Sequence, residues 1–378
     1  MRHDVAIYAP DVAGVYSRHE MRTGGAERQT NLLARALSER GERVAQIIWA
    51  VDDPLPVPNP RITLVMRPSH SGDRRLAPAH EIRHMLRSLQ AADAAVYVFR
   101  TGSPLLGVVA TFCQLRGRGL IFAGSTDSDF TLRTLNDGPS SRSRTVLYRT
   151  GLRRADAVVV QSTRQLEIAH TMFPELRRVV RIPSFAEPMQ AASRPGRAFV
   201  WIGRTTDYKR PLMFVELAKA LPEVCFEMVI VPAEMPPGPL VGEVQRRAAA
   251  LPNLKVIGPQ PHADLMRLID QAVAVVNTSQ AEGMPNVFLE GWARGVPALT
   301  LEFDPDGLIA ARGIGVAAGG SWERFVAGAQ RLWDERSDSE QLARAGRAYV
   351  DEVHGLDNVA SLWLQTVRAA KLAHGLDG

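Results

Sequence analysis

The sequence predicts an α/β protein made of two Rossmann-like, doubly wound domains facing each other across a cleft. Three observations point there. Short β-rich apolar runs alternate with amphipathic helical stretches along nearly the whole chain, which is the rhythm of parallel sheets with helices on both faces. That rhythm pauses at a Pro-, Ser- and Gly-containing stretch, Pro183 to Gly196, and then starts again, as it does at a boundary between domains. The side chains with most chemistry to offer fall just after apolar runs, and doubly wound sheets bind ligands beyond the carboxyl ends of their strands. With 378 residues the chain has room for about two domains of ordinary size.

Each element has its own warrant. In the first half the runs Val5–Ala9, Val44–Trp49, Ile62–Val65, Ala94–Val98, Leu120–Ala123 and Ala157–Gln161 are short and rich in β-formers, so they read as strands. Helical spacing fills Ala26–Arg40, His80–Ala91, Pro104–Leu115 and Arg142–Arg154. In the second half Ala198–Ile202, Cys225–Val231, Leu254–Ile257, Val273–Val276 and Ala298–Leu301 read as strands, again with helices between. The tail from Trp322 to Ala373 is mostly helical. These readings assign residues 1–187 to a first domain and 188–355 to a second, with a C-terminal helix in 356–378 packing back on the first.

Composition narrows the class. The chain is 46% hydrophobic and 22% charged, ordinary for a soluble globular protein. No apolar run approaches the roughly 18 residues of a membrane span, and the N-terminus reads as a first strand, not a signal peptide. The two cysteines, Cys113 and Cys225, fall on a helix and a strand of different domains and read as buried reduced thiols, which points to a cytoplasmic location. Net charge is +5, but between Arg61 and Ala155 there are 15 Arg, no Lys and only 6 acids. Such an excess attracts phosphate or anionic lipid. Peripheral contact with the inner face of the plasma membrane through residues 61–155 is one expectation; a solvated Arg-rich surface is the other. No aromatic-interleaved basic platform or zinc spacing appears, so no nucleic-acid partner is expected.

Three segments carry chemistry. After the first strand a long loop runs to Thr23-Gly24-Gly25-Ala-Glu-Arg at the start of a helix. Glycines admit close backbone approach, and a helix start offers free N–H groups to an anion. This is not the dinucleotide pattern of three spaced glycines. The second segment is Trp201-Ile-Gly203-Arg204-Thr-Thr-Asp-Tyr-Lys209-Arg-Pro211, with Pro211 suited to a helix N1 position. Arg204 offers a planar fork and Lys209 a point charge to phosphate oxygens, where negative charge builds as a diphosphate departs. The third is Glu282-Gly283-Met284-Pro285-Asn286-Val287-Phe-Leu-Glu290. Here one Glu is expected before a helix and the other on its first turn, flanking free amides. Carboxylates accept well from sugar hydroxyls, so amides for phosphate between acids for hydroxyls suit a nucleotide-sugar.

On these residues the chain resembles the GT-B-fold glycosyltransferases of family 4 across nearly its whole length. Arg204-x4-Lys209 is similar to the family's Arg-x4-Lys, Glu282-x7-Glu290 to its Glu-x7-Glu, and Gly24-Gly25-Ala-Glu to its N-terminal glycine loop. The flow from Arg149 to Gln161 is similar as well. The resemblance implies that Arg204 and Lys209 hold the donor diphosphate and Glu290 the ribose hydroxyls. Glu282 would contact the sugar, helped by amides from Gly283 to Val287. Gly24 and Gly25 would lie against the diphosphate or sugar, and the base near Ile257 and Gly258. It implies a retaining reaction moving a hexosyl unit from a UDP- or GDP-sugar to a hydroxyl of a glycan, lipid-linked glycan or small-molecule acceptor. The donor would be the one nucleotide required, with no cofactor and no metal.

One departure stands out. Many family members carry a His after an N-domain strand where this chain has Leu120-Ile-Phe-Ala-Gly-Ser125-Thr126-Asp127-Ser128-Asp129. Asp127 is the candidate to face the cleft in its place; an Asx turn or helix cap is the other reading. Asp127-Ser-Asp129 also spells the Asp-x-Asp metal motif of the other large glycosyltransferase fold, but a metal would duplicate Arg204 and Lys209. The histidines show no ligand spacing and read as surface residues. Two alternatives stay open on the residues: a nucleotide-sugar epimerase of the same fold, and a non-catalytic nucleotide-sugar-binding protein.

Overall fold

A computed structural model describes residues 3–17, 24–57, 59–68, 77–100, 102–131, 141–189, 196–234 and 236–376. Thr23, Arg74, Arg75, Arg133 and residues 190–195 of the stretch between the halves lie outside them. The chain divides into two compact units, Met1–Phe185 with Leu356–Gly378, and Ala186–Gly355.

The first unit is a seven-stranded parallel sheet. Its strands are β1 (His3–Tyr8), β2 (Val44–Trp49), β3 (Ile62–Arg67), β4 (Ala94–Arg100), β5 (Gly119–Ala123), β6 (Ala157–Val160) and β7 (Val179–Arg181), in the order β3-β2-β1-β4-β5-β6-β7. Helices α1 (Gly25–Glu39), α2 (Ala77–Ala92), α3 (Leu105–Arg116), α4 (Ser128–Thr131), α5 (Ser141–Arg154) and α6 (Thr163–Met172) connect them. Successive strand residues point to opposite faces, so both faces are buried. Ala6, Tyr8, Tyr97, Phe99, Leu120 and Phe122 enter one core, while Val5, Ile7, Val96, Val98 and Ile121 enter the other.

The second unit repeats the design with six parallel strands. They are β8 (Ala198–Thr205), β9 (Phe226–Pro232), β10 (Leu254–Ile257), β11 (Ala272–Asn277), β12 (Ala298–Thr300) and β13 (Gly315–Ala317), in the order β10-β9-β8-β11-β12-β13. Its helices are α7 (Pro211–Ala220), α8 (Pro239–Ala248), α9 (His262–Asp270), α10 (Asn286–Ala293), α11 (Leu308–Arg312), α12 (Trp322–Asp334) and α13 (Glu340–Tyr349). Strand order reverses direction between β1 and β4 in the first unit and between β8 and β11 in the second. Those are the topological switch points, where such sheets open a crevice at their carboxyl edge.

After the second unit the chain returns to the first as α14 (Leu356–Ala373), packed on α1, β4 and β5. Its buried stripe is Val359, Ala360, Trp363, Val367 and Ala370, at the three-to-four spacing of one helix face. Lys371 Nζ sits 2.8 Å from Glu42 and 3.6 Å from Asp4, and Arg40 pairs with Asp357.

Several expectations need correction. Strands β7 and β13 carry three residues each and were absent from the sequence reading. Cys225 precedes β9 and is exposed, whereas Cys113 on α3 is buried; burial pushes the Cys113 thiol pKa up. Strand β8 runs to Thr205 and so includes Arg204, which was expected just after a strand ending at Ile202.

Candidate active site

The second unit brings its two motif segments together because β8 and β11 are neighbours at the switch point. The segment leaving β8 forms one short 3₁₀ turn, Asp207–Lys209, before α7 starts at Pro211. Arg210 between them takes φ +46°, ψ +55°, a left-handed backbone that is costly for a residue with a Cβ. What holds it there is visible. Arg210 Nε donates to the Thr278 carbonyl at 2.8 Å, and its guanidinium pairs with Glu302 at 2.8 Å.

Thr278 is the central stitch. Its hydroxyl donates to the Lys209 carbonyl at 2.7 Å and accepts from Trp201 Nε1 at 3.1 Å. The Gln280 amide donates to the Tyr208 carbonyl at 2.9 Å. Two loops about 70 residues apart in sequence are thus fastened by backbone and side-chain hydrogen bonds, each a modest net gain of roughly 1 kcal/mol but costly to leave unmade. Gly203 is needed beneath them: a Cβ there would lie 2.9 Å from the Trp201 ring and 3.4 Å from the Lys209 stem.

The charged groups follow from that frame. Lys209 Nζ donates to Glu282 Oε1 at 2.5 Å, and Ser279 Oγ donates to the same oxygen at 2.8 Å. Glu282 Oε2 has no partner among the described residues, which leaves one carboxylate oxygen to accept from a ligand. Arg204 is exposed near the end of β8, and its guanidinium makes no hydrogen bond or ion pair with the described residues. Gly283 to Pro285 lead into α10, whose N-cap is Pro285 with no side-chain cap. The helix start at Asn286 and Val287 is therefore a positive helix end.

Glu290 lies in the second turn of α10, not the first, because it is the fifth residue of a helix that begins at Asn286. Its carboxylate meets His262 Nε2 at 3.2 Å. His262 opens α9, four residues after Gly258 at the end of β10. No atom lies within 4 Å of where a Cβ on Gly258 would be, so that strand end is open. His262 is exposed, as expected of the histidines, but its pairing with Glu290 was not foreseen, nor were the roles of Thr278, Ser279 and Arg210. The available signal was position: Thr278 and Ser279 directly follow β11 and Arg210 directly follows Lys209, whereas His262 stands at the end of the loop after β10.

Gly24, Gly25 and Asp127 belong to the first unit. Gly24 is the N-cap of α1 and Gly25 its first residue, with no side-chain cap. Asp127 pairs with Arg164 on α6, Oδ2 to Nε 3.0 Å. The capping carboxylate of this loop is Asp129: it accepts from the amides of Gly102, Ser125 and Thr126 at 2.9, 2.7 and 3.1 Å. With Asp129 so engaged, the Asp-x-Asp reading loses one of its two acids.

The comparisons agree with this geometry. Residues 24–184 match the glycosyl transferase 4-like domain and residues 196–335 match glycosyl transferases group 1. Among solved structures, sucrose-phosphate synthase from Thermosynechococcus elongatus is similar with a TM-score of 0.76 and 16% identity, covering 98% of this chain and 100% of that one. The Anabaena protein HepE, in complex with UDP and glucose, has a TM-score of 0.71 and 14% identity over 97% and 100% of the two chains. WaaG, a glycosyltransferase involved in lipopolysaccharide biosynthesis, has 0.66 and 16% over 97% and 99%. The two units have the GT-B fold of a glycosyltransferase. The chain belongs to the group 1 glycosyltransferases, family 4.

Proposed function

We propose that this glycosyltransferase moves a hexosyl unit from a nucleoside diphosphate sugar to a hydroxyl acceptor with retention at the anomeric carbon. The observation that carries it is the cluster of Lys209, Glu282 and Ser279 at the switch point of the second unit, beside Arg204 and an uncapped helix start. Ion-pairing to Glu282 keeps Lys209 extended and placed for a diphosphate. Arg204 has its guanidinium uncommitted, and the Asn286 and Val287 amides add donors. Glu282 Oε2 accepts from the transferred sugar. Glu290, oriented by His262, accepts from the ribose, and the base lies over the open strand end at Ile257–Gly258. In the first unit, the amides at Gly24 and Gly25 offer further oxyanion donors. UDP is the favoured nucleotide, since HepE was solved with UDP and glucose and the pneumococcal transferase GtfA with UDP and GlcNAc.

In the reaction the acceptor oxygen bonds to the anomeric carbon while that carbon's bond to the diphosphate oxygen breaks. The acceptor proton passes to the departing diphosphate on the same face. Arg204 and Lys209 neutralise the charge that builds there, the electrostatic kind of catalysis that gains most from fixed groups. No protein base and no metal is assigned a role. Acceptor-dependent release of free nucleoside diphosphate tests the reading, and Glu290→Ala should abolish it. Wild-type turnover in that variant refutes the assignment. Conversion of the donor to an epimer without acceptor would favour the epimerase reading instead. A thermal-shift series with UDP, GDP and ADP identifies the base, because a ligand that binds the native state raises apparent stability.

A further inference from the structure

The Arg-rich segment of the first unit separates into inward and outward groups. Arg67 is buried with its guanidinium 4.4 Å over the Trp49 ring, and Arg118 is buried and pairs with Asp93 at 3.1 Å. Arg100 is enclosed at the end of β4. These three spend their charge inside. The outward group gathers on α5, which carries Arg142, Arg144, Arg149, Arg153 and Arg154 and no acid.

Tyr148, Gly151 and Leu152 form the buried side of α5. It lies so close to α3 that a Cβ on Gly107 would sit 2.4 Å from the Leu147 carbonyl oxygen. Residues three and four apart share a helix face, so Arg142, Val146, Arg149 and Arg153 line the opposite side. Leu147 and Arg154 flank them on the α3 side. Val146 is 63% exposed and Leu147 44%. Arg154 Nη1 donates to Thr111 Oγ1 on α3 at 3.1 Å, and one turn beyond Thr111 stands Leu115, 80% exposed. Arg149 reaches the other way, 3.4 Å from the Met172 carbonyl and from Glu175; Met172 is 41% exposed. Cations and aliphatic side chains therefore share one continuous surface. A groove along it is lined by Thr150, Arg153, Arg154, Glu175 and Arg177.

We propose that this α3–α5 face docks on an anionic lipid bilayer, with Val146, Leu147 and Leu115 entering the acyl boundary and the arginines bonded to headgroup phosphates. Charge complementarity selects the partner. A polyanion in solution would satisfy the arginines but offer nothing to four exposed aliphatic side chains. A bilayer surface offers both layers at the right depth. Among the described residues no helix is long and apolar enough to cross a membrane, so attachment here is peripheral. The inference rests on this surface alone and stands whether or not the donor site is assigned correctly.

The test is sedimentation of the full chain with vesicles of phosphatidylcholine, alone or with roughly one-third phosphatidylglycerol, at low and high salt. Binding is expected only with phosphatidylglycerol, weakening as salt rises. Each arginine near the surface is worth about five-fold in partitioning, so Arg153→Ala with Arg154→Ala should lower the partition coefficient more than ten-fold. Val146→Asp should weaken binding while leaving the thermal melt unchanged. Arg83→Ala with Arg87→Ala on α2 removes the same charge elsewhere and should leave binding nearly intact. Absence of binding, equal binding to pure phosphatidylcholine, equal loss from both arginine pairs, or a concentration-dependent dimer abolished by Val146→Asp would each overturn the proposal.

Discussion

The carboxyl edges of the two sheets differ in how their polar groups are answered. In the second unit the loops after β8 and β11 satisfy one another: Thr278, Arg210, Lys209, Ser279 and Glu282 are joined by hydrogen bonds of 2.5–2.8 Å. In the first unit the switch point between β1 and β4 leaves Tyr8 Oη, Glu27 Oε2 and Arg100 Nε buried with no hydrogen-bond partner among the described residues. Burial lowers the Arg100 pKa to about 10, so it stays charged at neutral pH, and the nearby Asp129 and Glu27 charges only partly compensate. A buried polar atom without a partner costs on the order of 1–3 kcal/mol. The frame of one edge is thus finished by loop-to-loop bonds, although Thr206 Oγ1 is buried there without a hydrogen-bond partner among the described residues and Glu282 Oε2 and Arg204 stay open to a ligand, while the other edge leaves three buried groups unfinished.

Substitutions can break or sharpen that contrast. The largest effect is expected from Lys209→Ala, which removes a fixed cation from the finished edge. Turnover should fall about 10²–10³-fold, read as acceptor-dependent release of nucleoside diphosphate, with donor affinity changing less. Next comes Thr278→Val. It strands Trp201 Nε1 and frees the Lys209 backbone, so urea unfolding should show a loss of about 1–3 kcal/mol together with reduced turnover. On the unfinished edge Arg100→Met should behave oppositely. Replacing an unpaired buried charge by an apolar side chain leaves the unliganded protein as stable or more so, while turnover falls. Equal destabilisation by Thr278→Val and Arg100→Met would erase the distinction between the edges.

The smallest effect lies at the amino edge of the first sheet. Burial raises the Asp4 pKa, but hydrogen bonds from Arg43, with the Arg43 and Lys371 charges, outweigh it and hold the carboxyl below its ordinary value. A depressed folded pKa adds stability that is present above the unfolded value, near pH 3.8, and is lost as pH falls through the folded one. Asp4→Asn should therefore cost about 1 kcal/mol at pH 7, as for a partly exposed pair screened by solvent. The difference from wild type should vanish in strongly acidic urea melts.

Much of the fold was legible because buried parallel strands are nearly continuous apolar runs, and β6 and β11 announce themselves that way. Strands β7 and β13 did not, since three half-buried residues at a sheet edge leave no period to read. The site was legible where sequence proximity mirrors space, as in Lys209 after β8 and Glu282 after β11. It was not legible where partners are far apart in the chain. Thr278 is bonded across 69 residues to Lys209, and Glu290 across 28 to His262. Asp127 and Asp129 show a finer limit. The two acids are chemically alike and two residues apart, and only the turn's geometry gives Asp129 the capping bonds.

The return of α14 to the first unit has a consequence for biosynthesis. The apolar bed for Val359, Ala360, Trp363 and Val367 is made by residues translated early, yet the helix that covers it emerges only after the whole second unit. Domains usually mature on the ribosome in order of synthesis. In this chain the second unit can finish while the first still waits, uncovered, for α14. A nascent chain stalled shortly before Leu356 should accordingly be a substrate for chaperones, and trimming the tail should harm yield far more than its distance from the site would suggest.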